Sequence, residues 1–290
     1  MKILLTGASG QLGQAVQQQL AVTGYQLLAV GHRQLDITGS TAVSLLMETF
    51  RPDIVINCAA YTAVDKAEQQ QALCFAVNAE AVALLAQQCL QHNSVLIHFS
   101  TDYVFDGNLN RPYTELDSPA PLNCYGKSKL AGEQLIQASG CRYLIIRTGW
   151  LFSNYGHNFL LTMQRLAAGR QQVRMVDDQV GGPTSAYQLA AAIMQLINLY
   201  QLQRKLPWGL YHYGGQPYVS WYQFAAAIFQ QLGCPEYLTA ISSQEYLSAT
   251  ARPQNSCLNS RHFCQTFDVQ VADWQPELIR LLTVTDSSER

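Results

Sequence analysis

A tyrosine four residues ahead of a lysine, in Tyr125-Gly-Lys-Ser-Lys129, is the pair in this chain best suited to acid–base chemistry. On a helix, positions i and i+4 share one face, so the phenol and the ammonium point into the same space. A nearby cation favours the phenolate and is expected to lower the Tyr125 pKa from its reference value of about 10. A phenol tuned in this way can pass a proton to or from an alcohol or carbonyl oxygen. Upstream, Ser100-Thr101-Asp102-Tyr103 follows the apolar strand-like run Val95–Ser100. Ligands of open α/β sheets bind beyond the carboxyl ends of the strands, which directs Thr101 and Tyr103 toward them. Thr101 would hydrogen-bond a carbonyl oxygen, Tyr125 would donate its proton, and Lys129 would hold a nicotinamide ribose. Taken singly, Tyr125 and Lys129 read equally well as ordinary helix surface.

The elements that must position these residues alternate in type. Candidate strands Lys2–Thr6, Tyr25–Gly31, Ile54–Cys58, Val95–Ser100 and Arg142–Thr148 are separated by candidate helices Leu12–Val22, Thr41–Phe50, Ala72–Gln91 and Tyr125–Gln137. Such alternation predicts an α/β fold, a doubly wound parallel Rossmann sheet with helices on both faces. Gly7-Ala-Ser-Gly10-Gln11-Leu12-Gly13 directly follows the first strand and opens a helix. Glycines there permit a tight turn and close approach to a pyrophosphate, and the helix N-terminus supplies free N–H groups.

Cofactor choice is written at the end of the second strand. An acid there would bind the adenosine ribose hydroxyls and favour NAD. This chain has Gly31-His32-Arg33 instead, so Arg33 is expected to meet a 2′-phosphate and select NADPH, with NADH as the alternative. Arg33 stacking on adenine or facing solvent is the competing reading. Asp36, in Leu35-Asp36-Ile37, would contact adenine or shape its pocket, or serve only as a turn residue. In Asn57-Cys58-Ala59-Ala60, at the end of the third strand, small residues let the cofactor pass. Asn78 sits inside a helical pattern, where an asparagine either holds nearby backbone or faces solvent.

The chain has 290 residues, 48% hydrophobic and 13% charged, with a net charge of −2, composition that suits a compact enzyme and offers no basic surplus for nucleic acid. None of the eight cysteines forms a Cys-x-x-Cys pair, so they read as free thiols of a reducing compartment, with Cys124 notable for adjoining Tyr125. The N-terminus enters a strand directly, and no apolar stretch is expected to reach the roughly 20 residues that span a bilayer. A cytoplasmic enzyme without a membrane partner is the default. Beyond Arg147 the alternation weakens. Residues 1–150 with 178–205 are expected to form the NAD(P)-binding domain, and 151–177 with 206–290 a smaller α/β substrate-binding domain. Thr285–Arg290 are expected to fray.

Together, Gly-x-x-Gly-x-x-Gly, Asn-x-Ala-Ala, Ser-Thr-Asp-Tyr-Val-Phe-Asp-Gly and Tyr-Gly-Lys-Ser-Lys resemble the extended short-chain dehydrogenase/reductases. Through Arg147-Thr-Gly-Trp150, Asn158–Met163, Val176–Gln179, Gly182-Pro-Thr184 and Ala251-Arg-Pro253, the chain is similar to the dTDP-4-dehydrorhamnose reductase family over residues 1 to about 260. The resemblance implies NAD(P)H-dependent reduction of the C4 keto group of dTDP-4-dehydro-L-rhamnose, with Thr101, Tyr125 and Lys129 as the catalytic set. It also implies that Val64, Tyr103 and Trp150 line the nucleotide-sugar site. Arg252, before Pro253, is the candidate for the substrate diphosphate, and a salt-bridging role is its alternative. The chain departs from the commonest family pattern at Gly149, where serine is usual, and at Cys124. Some members hold a metal at a subunit interface; no local motif carries that over, while a homodimer is compatible with the resemblance. Two alternatives stay open: a reductase or epimerase of another nucleotide-linked keto sugar, and a non-catalytic regulatory subunit like that of methionine adenosyltransferase.

Overall fold

The computed structural model describes residues 1–246 and 248–286. Five strands follow one another through the first half: β1 (Lys2–Thr6), β2 (Gln26–Val30), β3 (Ile54–Asn57), β4 (Val95–Thr101) and β5 (Arg142–Thr148). A sixth, β6 (Gly209–His212), joins the open edge of β5, and every pairing in the sheet is parallel. The order is β6-β5-β4-β3-β1-β2. All residues of β3 and β4 are buried, as expected of strands covered on both faces. β6 departs from the expected division of the chain: Gly209–His212 joins the large sheet and not the smaller region. A run of four residues, Gly-Leu-Tyr-His, lying among aromatics carries no signal of which sheet it will join.

Helices α1 (Gln11–Leu20), α2 (Ser40–Phe50), α3 (Gln71–Gln91) and α4 (Cys124–Ala138) connect the strands, and α6 (Ala186–Gln203) arrives later, after α5 (Phe159–Ala168). One face of the sheet packs Ile3, Leu5, Ile56 and Ile97 against α1 and α6; the other packs Leu4, Val55 and Leu96 against α2, α3 and α4. Helix α3 corrects one expectation. It is long and apolar enough to cross a bilayer by length and composition, yet half of its most apolar window is buried, with Val82, Leu85, Ala86 and Cys89 packed against the sheet. A core helix meets the same arithmetic as a membrane span.

A separate core holds the smaller region together. Phe152, Leu160, Phe224, Phe229, Trp274 and Leu278 pack α5, α7 (Trp221–Gln231) and the C-terminal helix Trp274–Asp286 into one cluster. Two short ladders, Val173–Val176 with Leu238–Ile241 and Val180–Gly181 with Val219–Ser220, border it. Of Thr285–Arg290, Thr285 and Asp286 fall in the last turn of that C-terminal helix and 287–290 lie outside the described residues.

Candidate active site

The chain passes from β2 on one side of β1 to β3 on the other, so the sheet splits its order beside the carboxyl end of β1. In parallel sheets that is where ligands bind. Gly7 occupies this point with φ +67°, and a Cβ there would overlap the backbone of Cys58 and Ala59. A Cβ on Gly13 would overlap the Gly7 carbonyl, so two of the three glycines are demanded by packing alone. The N-terminus of α1 has no side-chain cap and no acid in its first turn. Its N–H groups are thus left for an anion, which fits a dinucleotide phosphate.

A cavity of about 600 Å³ opens beyond these strand ends. Gly10, Gln11, Leu12, Gly13, Cys58 and Ala60 line one side, and Val64, Thr101, Tyr103, Tyr125, Lys129 and Trp150 the rest. The three residues expected to carry the chemistry are therefore brought together with the glycine turn. His32, Arg33 and Asp36 are exposed at the tip of β2, outside this wall, and Ile37 is buried beneath α2. Asp36 takes the turn role: its Oδ1 accepts from the backbone N–H and hydroxyl of Thr38, which holds its carboxyl below the usual range.

Helix α4 presents Tyr125 and Lys129 one turn apart. Asn123 caps its start by accepting from the Gly126 N–H at 2.8 Å. Asn78 fixes its far side and does not face solvent. It lies in a π-helical turn (Ala76–Glu80), fully buried, donating to the Tyr61 carbonyl and the Ser128 hydroxyl and accepting from the Tyr61 N–H. That amide ties the loop after β3 to α4. Cys124 is buried among Cys74, Ala67 and Tyr125, and its backbone N–H donates to Glu68.

The expected lowering of the Tyr125 pKa is corrected. Burial pushes the phenol well above its ordinary value, the Thr101 hydroxyl opposes this, and Asp102 adds to it. Lys129 is itself brought down to about 8, chiefly by burial. A lysine weakened as a cation does not offset the desolvation of a phenolate, so Tyr125 keeps its proton.

Asp102, missed as a site residue, is buried beside Thr101. Its Oδ1 accepts from Thr101 at 2.9 Å, and its Oδ2 has no hydrogen-bond partner among the described residues. Burial raises its pKa to about 6; the Ser256 hydroxyl, close by but turned to the Val180 carbonyl, and the Thr101 hydroxyl oppose this. The glycine at 149 follows from the same packing, since a Cβ there would overlap the Asp102 carboxyl.

Trp150 has φ +50°, a backbone state that bulky side chains rarely adopt and that surrounding contacts must hold. Trp221 stacks on its ring at a centroid distance of 3.4 Å, and its Nε1–H donates to Ser256 Oγ at 3.1 Å. Trp221 also lines the cavity and was not legible as a site residue; the Ser220 capping box that seats it at the head of α7 is a signal of helix start, not of function. Arg252 is engaged by a carboxylate. It forms an ion pair with Asp65 at 3.0 Å and is absent from the cavity wall, although it lies close enough to Tyr103 to favour that phenolate. Among the described residues no group of three or more His, Cys, Asp or Glu could hold a metal ion.

This is the layout of NAD(P)H-dependent oxidoreductases built on a parallel sheet. Within that class the chain belongs to the family described as RmlD substrate binding domain, whose model matches residues 1–286. It is 40% identical over 284 residues to a dTDP-4-dehydrorhamnose reductase of Aggregatibacter actinomycetemcomitans, covering 96% of this chain and 97% of the relative. A solved dTDP-4-dehydrorhamnose reductase from Clostridium acetobutylicum superposes with a TM-score of 0.93 at 36% identity, covering 99% of this chain and 100% of that one. One from Bacillus anthracis, solved in complex with NADP, gives 0.91 at 35% identity over 97% and 98%.

Proposed function

We propose that the chain reduces the C4 keto group of dTDP-4-dehydro-L-rhamnose to dTDP-L-rhamnose, with NADPH as the preferred reductant. The reading is carried by the convergence of Thr101, Tyr125 and Lys129 on the cavity that also receives the glycine turn. NADPH, when bound, supplies the hydride that reaches C4. Tyr125 gives its phenolic proton to the developing C4 oxygen, and the raised pKa of the phenol keeps that proton in place beforehand. Thr101 hydrogen-bonds the same oxygen and aligns it. Lys129, fixed by donation to the Phe99 carbonyl at 2.6 Å, holds the ribose hydroxyls. Gly7, Gly10, Gln11, Leu12 and Gly13 receive the pyrophosphate, while Cys58, Ala59 and Ala60 let it pass. His32, Arg33, Asp36 and Ile37 form the adenosine end, with Arg33 meeting the 2′-phosphate.

On the substrate side, Val64, Tyr103 and Trp150 line the sugar and base, and Trp221 backs Trp150. Arg252 releases Asp65 to meet the diphosphate. The smaller region, with Phe152 and Phe224 at its core, is the substrate-binding domain. Eight free cysteines suit a reducing compartment such as the cytoplasm.

The test is absorbance of NADPH in the presence of dTDP-4-dehydro-L-rhamnose, with product stereochemistry determined. Stoichiometric oxidation to dTDP-L-rhamnose is expected. Absence of oxidation with a bound sugar, or epimerisation without net loss of cofactor, would overturn the assignment.

A further inference from the structure

A line of buried polar side chains runs beneath the cavity floor, from the first strand to Lys129. Thr6 Oγ1 donates to Asn57 Oδ1 at 2.7 Å, Asn57 Nδ2 reaches His98 Nδ1 at 3.0 Å, and His98 Nε2 lies 3.3 Å from Lys129 Nζ. Thr6, Asn57, His98 and Lys129 are all 2% exposed or less, so every proton on the line needs a protein partner.

The direction of the Asn57 amide is fixed independently. The Ala59 N–H, which can only donate, lies 3.1 Å from Asn57 Oδ1. The NH₂ group therefore faces His98, and as a donor it requires Nδ1 to be the bare ring nitrogen. A neutral imidazole with a bare Nδ1 carries its proton on Nε2, and an imidazolium would set N–H against N–H. That Nε2–H is directed at Lys129 Nζ. An ammonium has three N–H groups and no lone pair; an amine has a lone pair to accept with. Only the amine completes the line.

We propose that His98, locked by Asn57 with its proton on Nε2, is a positioning residue that favours the neutral amine of Lys129, making this lysine an exchangeable proton site and not a fixed cation. The titration behaviour agrees with the geometry. His98 is held well below its ordinary pKa by burial and by Lys129, and Lys129 is lowered to about 8 by burial. The other groups that face Lys129 are the Phe99 carbonyl, which accepts from Nζ at 2.6 Å, Glu133 on its own helix, Cys74 on α3 and Cys58 after β3, and each favours the ammonium. Glu133 is the only carboxylate among them, and both its oxygens are taken by Arg147 at 2.9 and 2.6 Å. His98 is the neighbour that presents an N–H to the amine.

The proposal builds on the reading that Lys129 serves the reaction, but its test needs neither substrate nor cofactor. The chain has five lysines (Lys2, Lys66, Lys127, Lys129 and Lys205), so ¹⁵Nζ signals of the lysine-labelled full chain can be assigned and titrated. Lys129 is expected to titrate near 8 in the wild type and in His98→Gln, whose amide keeps an N–H at the Nε2 position. In His98→Phe, which removes the donor and leaves the site buried, the midpoint is expected to rise above the wild-type value without reaching that of an exposed lysine. A midpoint in His98→Phe that stays in place or falls overturns the proposal. Long-range ¹⁵N–¹H spectra of the wild-type histidines give a second reading that survives misfolding of either variant: the His98 proton on Nε2 supports the proposal, and a proton on Nδ1 or on both nitrogens overturns it. A failed turnover assay beside a normal Lys129 titration would count against the substrate assignment alone.

Discussion

The two ends of the cavity are built from different material. The cofactor end is mostly backbone: a glycine turn and an uncapped helix start, with a third strand passing close enough to overlap any added Cβ. The end proposed for the substrate is mostly side chain, and its parts come from distant segments, Trp150 against Trp221 and Ser256. A phosphate can be held by backbone N–H groups whose positions short-range spacing dictates. A sugar and a base need shaped apolar and polar surface, and that surface is assembled by tertiary packing.

The largest effect is expected at the seam where the two ends meet. Tyr125→Phe should lower kcat by about 10²-fold or more while leaving the dissociation constants of both ligands near wild type, because it removes one proton and no binding surface. Turnover close to wild type would assign the proton to another group.

Asp102 lies at the same seam and gives a pH signature in stability. Its folded pKa is about 6 against an ordinary 3.8, so between these values the folded state holds a proton that the unfolded state has released. Stability from this group is full below about 4 and falls as pH rises to about 6, by about 3 kcal/mol. Asp102→Asn should flatten that slope in denaturant unfolding followed across this pH range. An unchanged slope would show that Asp102 ionises normally and that its contact with Gly149 does not desolvate it.

A smaller effect separates the two ends cleanly. Trp221→Ala should raise KM for the nucleotide sugar by about tenfold through loss of the stack behind Trp150, with NADPH affinity unchanged. A matching loss of NADPH affinity would show that the ends are not independent. The smallest expected effect is at the rim: Arg33→Ala should reduce the NADPH over NADH preference in kcat/KM by several-fold, as befits one exposed cation on a phosphate. Equal preferences in both proteins would remove Arg33 from cofactor choice.

This contrast also explains how much could be read from the residues alone. The five leading strands, the glycine turn and the Thr101–Tyr125–Lys129 set were legible because each follows from local period or spacing. The sixth strand was not, because Gly209–His212 is too short to show a period and finds its partner 65 residues upstream through the sheet edge. Trp221 and Asp102 were hidden for a related reason. Their roles depend on what packs against them, a tryptophan ring in one case and a bare glycine in the other. The direction of the Tyr125 shift failed because spacing places a lysine near a phenol but says nothing about how dry both are.

The late position of β6 has a consequence for synthesis of the chain. Until residue 203 has left the ribosome, α1 lacks the α6 helix that covers it, and until residue 212 has left, β5 presents an unpaired parallel edge. Nascent chains halted between 150 and 205 would therefore expose both a sheet edge and an apolar face, a combination that recruits chaperones or other nascent copies. Ribosome-stalled lengths ending before and after β6 should differ sharply in protease resistance, with the protected state appearing only once the last strand is free of the exit tunnel.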